Sequence, residues 1–137
     1  MSAIQQGIIL NEDKTLSFGN YEVSEKIKVK DFNVDGNIYK IRTHNEVTRL
    51  SKNGNLLLET VPGATIHNLF ISEKESSFLA EGLGDTLITL ELEPNTTYSL
   101  FINDVNIDKI KTNLSGKINF STTLSKETQQ IKIEKNI

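Results

Sequence analysis

Apolar and polar residues alternate in short runs along almost the whole chain. In the clearest run, Asp85–Glu93, apolar residues occupy every second position from Ile88 to Leu92. Successive side chains of a β-strand point to opposite faces, so this period indicates strands with one buried and one solvated face. Similar runs recur from Gly7 to Lys135, and they predict roughly ten strands at spacings typical of a sandwich or barrel.

Turn-forming residues separate these runs. Asn53-Gly54 supports the positive φ angles of a type I′ turn and predicts a two-residue hairpin within Thr48–Glu59. A second tight turn is predicted at Asn103-Asp104 and another turn at Lys74–Ser77. A short helical turn within Asp13–Lys30 is an alternative, and no other segment has a convincing helical period.

The runs and turns together predict an all-β fold: an antiparallel β-sandwich, immunoglobulin-like or jelly-roll-like, with little or no helix. The 137 residues fit a single domain, 1–137. A division into N-terminal hairpins (1–75) and an immunoglobulin-like half (76–137) is the open alternative. Only 36% of the residues are hydrophobic, which suits a thin two-layer structure whose strands turn half of their side chains to solvent.

Composition narrows the classes of partner. The net charge of −3, from 15 basic and 18 acidic residues, gives neither a basic surface for nucleic acid nor a polybasic membrane signal. The chain has no cysteine, and its first residues lack the basic and apolar segments of a signal peptide. We therefore expect no nucleic acid or membrane partner and a cytoplasmic location, with release without a signal peptide or association with a spore or phage particle left open.

One spacing is similar to that of a calcium-binding loop. Asp104, Asn106 and Asp108 follow the required order, but Lys109 and Ser115 stand where such a loop needs glycine and a bidentate glutamate. We interpret the segment as a hairpin turn rich in Asn and Asp. The sequence predicts no metal site and no cofactor.

The sequence contains no recognisable catalytic group of residues. His44 shares the polar face of Arg42, so alternation predicts that its side chain faces solvent. His67 aligns with an apolar face and is predicted at the edge of the core or at an interface. Glu91 and Glu93 share the outer face of one strand, where carboxylates are usually solvated. We therefore predict no catalytic residue and interpret the chain as a protein without enzymatic activity.

The chain resembles a group of small β-rich proteins from clostridia and related anaerobes. The resemblance rests on Leu16–Tyr21, Val61–Thr65, Thr89–Pro94 and Lys111–Lys117. Some members of the group carry the label "endosialidase", which would imply hydrolysis of sialic acid. The common sialic acid hydrolases hold the substrate carboxylate with three arginines, whereas this chain contains only Arg42 and Arg49. Lysine lacks the planar fork of arginine, so it replaces arginine poorly in such a clamp.

The C-terminal part, Phe78–Ile137, also resembles the small immunoglobulin-like modules of secreted bacterial enzymes. The shared pattern is Tyr98-x-Leu100-x-Ile102-Asn103 followed by Ser115-Gly116-x-Ile118-x-Phe120. This pattern reflects strands and turns, so it implies a β-sandwich and says little about function.

Our first hypothesis for function is a structural or interaction protein that associates with itself. Short strands with modest apolar faces gain stability when a neighbouring copy completes a sheet or covers an apolar patch. Three consecutive leucines put apolar groups on both faces of one strand, which indicates either burial on two sides or an interface. The candidate interface residues are Leu56, Leu57, Leu58, Ile66 and Phe70.

A carbohydrate-binding module is the alternative function, and an accessory subunit of a glycan-active enzyme is a further one. A glycan site usually needs a planar aromatic surface, and the chain has no tryptophan to supply it. The candidate ligand contacts are Tyr21, Tyr39 and His67.

Overall fold

A computed structural model describes residues 2–136, and within this range the chain forms thirteen β-strands and no helix. The strands are β1 (Ile8–Leu10), β2 (Leu16–Phe18), β3 (Ile27–Val34), β4 (Asn37–Thr43), β5 (Thr48–Lys52), β6 (Asn55–Val61), β7 (Ala64–Ile71), β8 (Glu75–Gly82), β9 (Gly84–Glu91), β10 (Thr97–Ile102), β11 (Val105–Lys111), β12 (Lys117–Leu124) and β13 (Gln129–Lys135).

The strands form two antiparallel sheets, which confirms the predicted all-β sandwich. The seven-stranded sheet has the order β1-β2-β7-β8-β13-β10-β11, and the six-stranded sheet has the order β12-β9-β6-β5-β4-β3. Both sheets combine strands from the two sides of residue 75, as in the pairs β7–β8 and β6–β9. Hydrogen-bonded pairing therefore runs across the alternative division at residues 75 and 76.

The core lies between the sheets and is built by the alternation seen in the sequence. Ile88 and Leu90 on β9, and Ile131 and Ile133 on β13, are completely buried. Full burial of such a side chain contributes roughly 1.5–3 kcal/mol relative to exposure. The polar residues between these positions face outward, so each strand contributes one face to the core.

The predicted tight turns are confirmed. Asn53 and Gly54 have φ angles of 50° and 86° and connect β5 to β6 with Lys52 paired to Asn55. Asn103 and Asp104, with φ angles of 51° and 66°, connect β10 to β11 in the same way. Asn, Asp and Gly tolerate these left-handed backbone conformations better than other residues do.

Two local predictions were wrong. Lys74–Ser77 is not a turn, because β8 already begins at Glu75 and Ser76 is buried. The turn lies at Ser72–Lys74, where the Ser72 N–H donates to the Glu75 carbonyl over 2.8 Å. The helical turn considered for Asp13–Lys30 does not form, since this segment contributes β2, a connection and the start of β3.

Six of the connections lie at one end of the sandwich. Because consecutive strands run in opposite directions, the connections after β1, β3, β5, β7, β9 and β11 share this end. We call it the hairpin end. At this end the Asn95 N–H donates to the Asn113 carbonyl over 3.3 Å, which joins the connection after β9 to the connection after β11.

Candidate functional site

A buried polar cluster that contains ionisable groups joins Tyr21, Glu81 and His67. One carboxylate oxygen of Glu81, Oε1, lies 2.7 Å from Nε2 of His67, and the other, Oε2, accepts a 2.9 Å hydrogen bond from the Tyr21 hydroxyl. The glutamate is only 2% exposed, and the other two residues are 4% and 6% exposed. Glu81 is thus partnered on both oxygens inside the protein.

The register of β7 and β8 explains the position of this cluster. Ile66 pairs with Ala80, and both are fully buried in the core between the sheets. His67 and Glu81 are the next residues along their strands, so they point to the opposite, outer face of the seven-stranded sheet. The connection from β2 to β3 brings Tyr21 onto this face and closes the cluster.

The arrangement anchors a connection and offers little room for chemistry. Buried polar groups need partners, and here both Glu81 oxygens, the Tyr21 hydroxyl and Nε2 of His67 find one within the cluster. Tyr21 and His67, two of the three candidate ligand contacts, are therefore occupied inside the protein. Tyr39 is the candidate contact that remains half-buried near the surface.

His44 is buried, with 6% exposure, so the prediction of a solvent-facing side chain was wrong. The strand β4 ends at Thr43, and the alternation used for the prediction does not extend to the next residue. The backbone of the connection after β6 also packs closely here, because a Cβ atom on Gly63 would lie 1.9 Å from the His44 carbonyl oxygen.

The Tyr21 hydroxyl should lose its proton at a higher pH than that of an ordinary tyrosine. Burial, followed by the hydrogen bond to Glu81, raises the pKa of Tyr21 from 10.0 to about 12. The folded protein therefore holds this proton between pH 10 and 12 more tightly than the unfolded chain, and the free energy of unfolding falls as pH rises through this window. The full difference corresponds to about 2–3 kcal/mol.

Near-ultraviolet absorbance can follow this titration, since the chain has three tyrosines and no tryptophan. We expect Tyr21→Phe to remove the step at highest pH. The variant should also reduce the loss of stability between pH 10 and 12, measured by urea unfolding. An unchanged absorbance curve in Tyr21→Phe would contradict the assignment.

A pocket opens between the two sheets at the hairpin end, with a volume of about 360 Å³. We call it the hairpin-end pocket. Its apolar lining comes from both sheets: Leu56, Leu57 and Leu92 from the six-stranded side, and Ile71 and Tyr98 from the seven-stranded side. A cavity of this size, apolar inside and polar at the rim, is typical of binding sites.

Carboxylates dominate the charge at the rim of this pocket. Glu73, Glu91 and Glu93 lie there with a single lysine, Lys52. Glu93 forms a 2.7 Å ion pair with Lys135, whereas Glu73 forms no ion pair within residues 2–136. The pocket is therefore suited to an apolar group that carries positive charge beside it.

A bulge in β6 explains why the leucine run reaches this pocket. Leu58 pairs with Leu50 and Leu56 pairs with Ser51, so Leu57 is an extra residue without a partner on β5. Leu58 is completely buried in the core, whereas Leu56 and Leu57 are half-buried at the pocket. In this leucine run, Leu58 therefore faces the core, whereas Leu56 and Leu57 face the pocket.

The predicted interface residues divide into two groups. Leu58 and Ile66 are completely buried inside the chain itself and present no surface to another molecule. Phe70 is 46% exposed. It lines a second hollow of about 340 Å³, which shares Leu57 with the hairpin-end pocket and also includes Tyr39. Of the predicted interface residues, Leu56, Leu57 and Phe70 therefore lie at the hairpin end.

Three of the four edge strands carry features that discourage pairing with another chain. The strand β1 has only three residues. The strand β3 exposes Lys28 and Lys30 and contains a register shift. The strand β11 exposes Lys109 and Lys111, and it has an extra residue, Ile107, opposite β10. Short length, lysines and bulges are all known to blunt sheet edges.

The fourth edge strand, β12, lacks these features. It pairs with β9 over eight residues, from Lys117 to Leu124, without a register shift. It carries no charge from Ile118 onward. The Gln129 side-chain amide donates to the Thr123 carbonyl, so the end of the strand is capped while its central part is left open. An edge of this kind is a template for another strand.

No group of residues within the described range could hold a metal ion. Nor does any helix in residues 2–136 have the length and apolar character to cross a membrane. No family model, curated protein or solved structure matches this chain. The resemblances to clostridial proteins and immunoglobulin-like modules therefore stay predictions.

Sequence reasoning missed Glu81 and the β12 edge. Glu81 follows the apolar run Phe78–Ala80, and a carboxylate next to such a run is a signal for a buried, partnered charge. The openness of β12 had no comparable signal, because it depends on which strands become edges.

Proposed function

We propose that the protein is a non-enzymatic structural protein that assembles by pairing the β12 edge of one copy with the β12 edge of another. The observation that carries the proposal is that β12 is long, regular and uncharged from Ile118 onward, while the other three edges are short, bulged or lined with lysine. An exposed edge presents unpaired N–H and C=O groups, and a second copy offers matching groups in the same register.

The open part of β12 fits an antiparallel two-fold pairing. A register centred on Phe120 places Asn119 opposite Ser121 and Ile118 opposite Thr122. It sets no like charges against each other, and it avoids the capped carbonyl of Thr123. The two six-stranded sheets would then form one continuous sheet of twelve strands.

The mass of the protein in solution tests the proposal. We expect the mean mass to rise with protein concentration and to fall when Ser121, which is exposed on β12, is changed to lysine. A lysine at this position should discourage strand pairing in the same way as the exposed lysines of β3. The matched control is Asn106→Lys on the already protected β11, which should leave the mass unchanged. Monomers at every concentration, or equal effects of the two variants, would contradict the proposal.

Disulfide trapping measures the register directly, since the chain has no cysteine of its own. With the register centred on Phe120, Asn119→Cys and Ser121→Cys should form disulfides efficiently only when the two variants are mixed. A disulfide between two copies of Ser121→Cys would support β12 pairing in a register centred on Ser121, which is shifted by two residues. No disulfide above that of an Asn106→Cys control would overturn β12 pairing.

The carbohydrate-binding alternative loses support from the site geometry. Of its three predicted contacts, Tyr21 and His67 are buried and bonded to Glu81. Of these three contacts, half-buried Tyr39 is the one that remains for stacking on a sugar. The accessory-subunit alternative has no specific observation in its favour.

A further inference from the structure

Among residues 2–136, the most exposed large apolar side chain is that of Leu114, which is 83% exposed. It lies in the connection from β11 to β12, at the hairpin end. An exposed leucine adds nothing to the core, and a single one needs no explanation in a flexible loop. The loop that carries Leu114, however, is tightly hydrogen-bonded.

The side chain of Asn113 organises this loop. Its Oδ1 accepts hydrogen bonds from the Ser115 N–H, at 3.0 Å, and from the Lys117 N–H, at 2.9 Å. The Gly116 N–H donates to the Asn113 carbonyl over 3.1 Å. These contacts fix the loop on both sides of the leucine. A side chain presented on a fixed loop loses little backbone entropy when it binds.

Lysines flank the connection that carries Leu114. Lys111 precedes it and Lys117 follows it. Lys117 stands opposite Glu91 in the β12–β9 pairing, whereas Lys111 pairs with Thr97 and has no carboxylate opposite it. The loop therefore presents an apolar side chain beside the positive charge of Lys111. The hairpin-end pocket has the complementary character, with an apolar floor and a rim rich in carboxylates.

We propose that Leu114 of one copy inserts into the hairpin-end pocket of a second copy, and that the contact is reciprocal. The loop and the pocket are neighbours at the same end of the molecule, because the Leu92 N–H of the pocket donates to the Gly116 carbonyl of the loop over 2.7 Å. When two copies meet at their hairpin ends around a two-fold axis, the loop of each copy can therefore reach the pocket of the other. Such a self-complementary surface is what a two-fold interface requires.

This inference rests on the proposed function in that both describe self-association, but it uses a different surface. The β12 edge joins copies side by side, and the hairpin end joins them end to end. Two different two-fold contacts on one chain can join copies into assemblies larger than a dimer. Loss of either contact alone should leave dimers.

Exchanging the charges of Glu73 and Lys111 tests the contact. The variants Glu73→Lys and Lys111→Glu are made in the Ser121→Lys background, in which the β12 edge is blocked. Glu73→Lys and Lys111→Glu should each weaken association roughly tenfold, because each sets like charges against each other across the interface. An equimolar mixture of the two should regain most of the lost affinity, since opposite charges then face each other. Weakening without recovery in the mixture would overturn the reciprocal contact.

Truncation of the leucine gives a second readout. Leu114→Ser in the Ser121→Lys background should convert dimers into monomers, while Leu114→Met should retain them. The control is Leu87→Ser, which removes a leucine with 45% exposure from the outer face of β9. Each of these residues is exposed, so the variants should fold, and thermal unfolding checks that they do.

The outcomes separate the two contacts. Monomers in the Ser121→Lys protein itself would overturn the hairpin-end contact and leave β12 pairing in place. A Leu114→Ser protein that is monomeric, beside a Ser121→Lys protein with the mass of the wild type, would support the hairpin-end contact and overturn β12 pairing.

Discussion

Replacing Gly19 with alanine is expected to lower the free energy of unfolding by at least about 3 kcal/mol. The residue has a φ angle of +98°, and a Cβ atom there would lie 2.2 Å from the Ala64 carbonyl oxygen on β7. The added atom must push β2 away from β7. It would also disturb the Gly19 carbonyl, which accepts hydrogen bonds from the Ile4 N–H and the Thr65 hydroxyl.

Urea unfolding of Gly19→Ala and Gly54→Ala separates the clash from the cost of a positive φ angle. Gly54 also has a positive φ angle, +86°, but no atom lies within 4 Å of the position that its Cβ would take. Its replacement should cost only about 1–2 kcal/mol. Equal losses in the two variants would show that the close approach at Gly19 does not limit stability.

Truncating Glu81 to alanine is expected to cost about 3 kcal/mol or more. The change removes the partner of two buried groups, the His67 ring and the Tyr21 hydroxyl, and each unsatisfied group costs roughly 1–3 kcal/mol. Glu81→Gln keeps the volume and one oxygen acceptor, so it should cost less than Glu81→Ala. The free energy of unfolding at neutral pH measures both variants.

An exposed ion pair supplies the control for the Glu81 variants. Arg49 and Glu59 form a 2.8 Å pair on the outer face of the six-stranded sheet, with side-chain exposures of 43% and 25%. Exposed pairs of this kind contribute about 0–1 kcal/mol, so Glu59→Ala should have a small effect. A Glu81→Ala protein as stable as Glu59→Ala would mean that the buried cluster does not anchor the connection from β2 to β3.

Local sequence signals predicted much of the fold. The alternation of Ile88 and Leu90, and of Ile131 and Ile133, identified the core faces because each strand needs only its own pattern to do so. Asn53 and Gly54 fixed a hairpin because the backbone conformation they allow is local. Lys74–Ser77 was mistaken for a turn because packing overrode the weak preference of serine for turns.

The candidate sites depend on contacts between distant parts of the sequence. Tyr21 and Glu81 are 60 residues apart, and only the strand order places them together. The open edge at β12 and the position of the Leu114 loop beside the hairpin-end pocket follow from that same order, which alternation cannot reveal. A sequence pattern specifies which face of a strand is buried, but not which strand becomes its neighbour.

The place of β13 in the seven-stranded sheet has a consequence during synthesis. This strand lies between β8 and β10, although it follows β8 in the sequence by more than forty residues. Until residues 129–135 leave the ribosome, β8 and β10 lack their common neighbour and the sheet exists as two separate fragments. Non-local pairing of this kind folds slowly and leaves strand edges open to other nascent chains. Translation speed and chaperone supply should therefore affect the yield of folded protein.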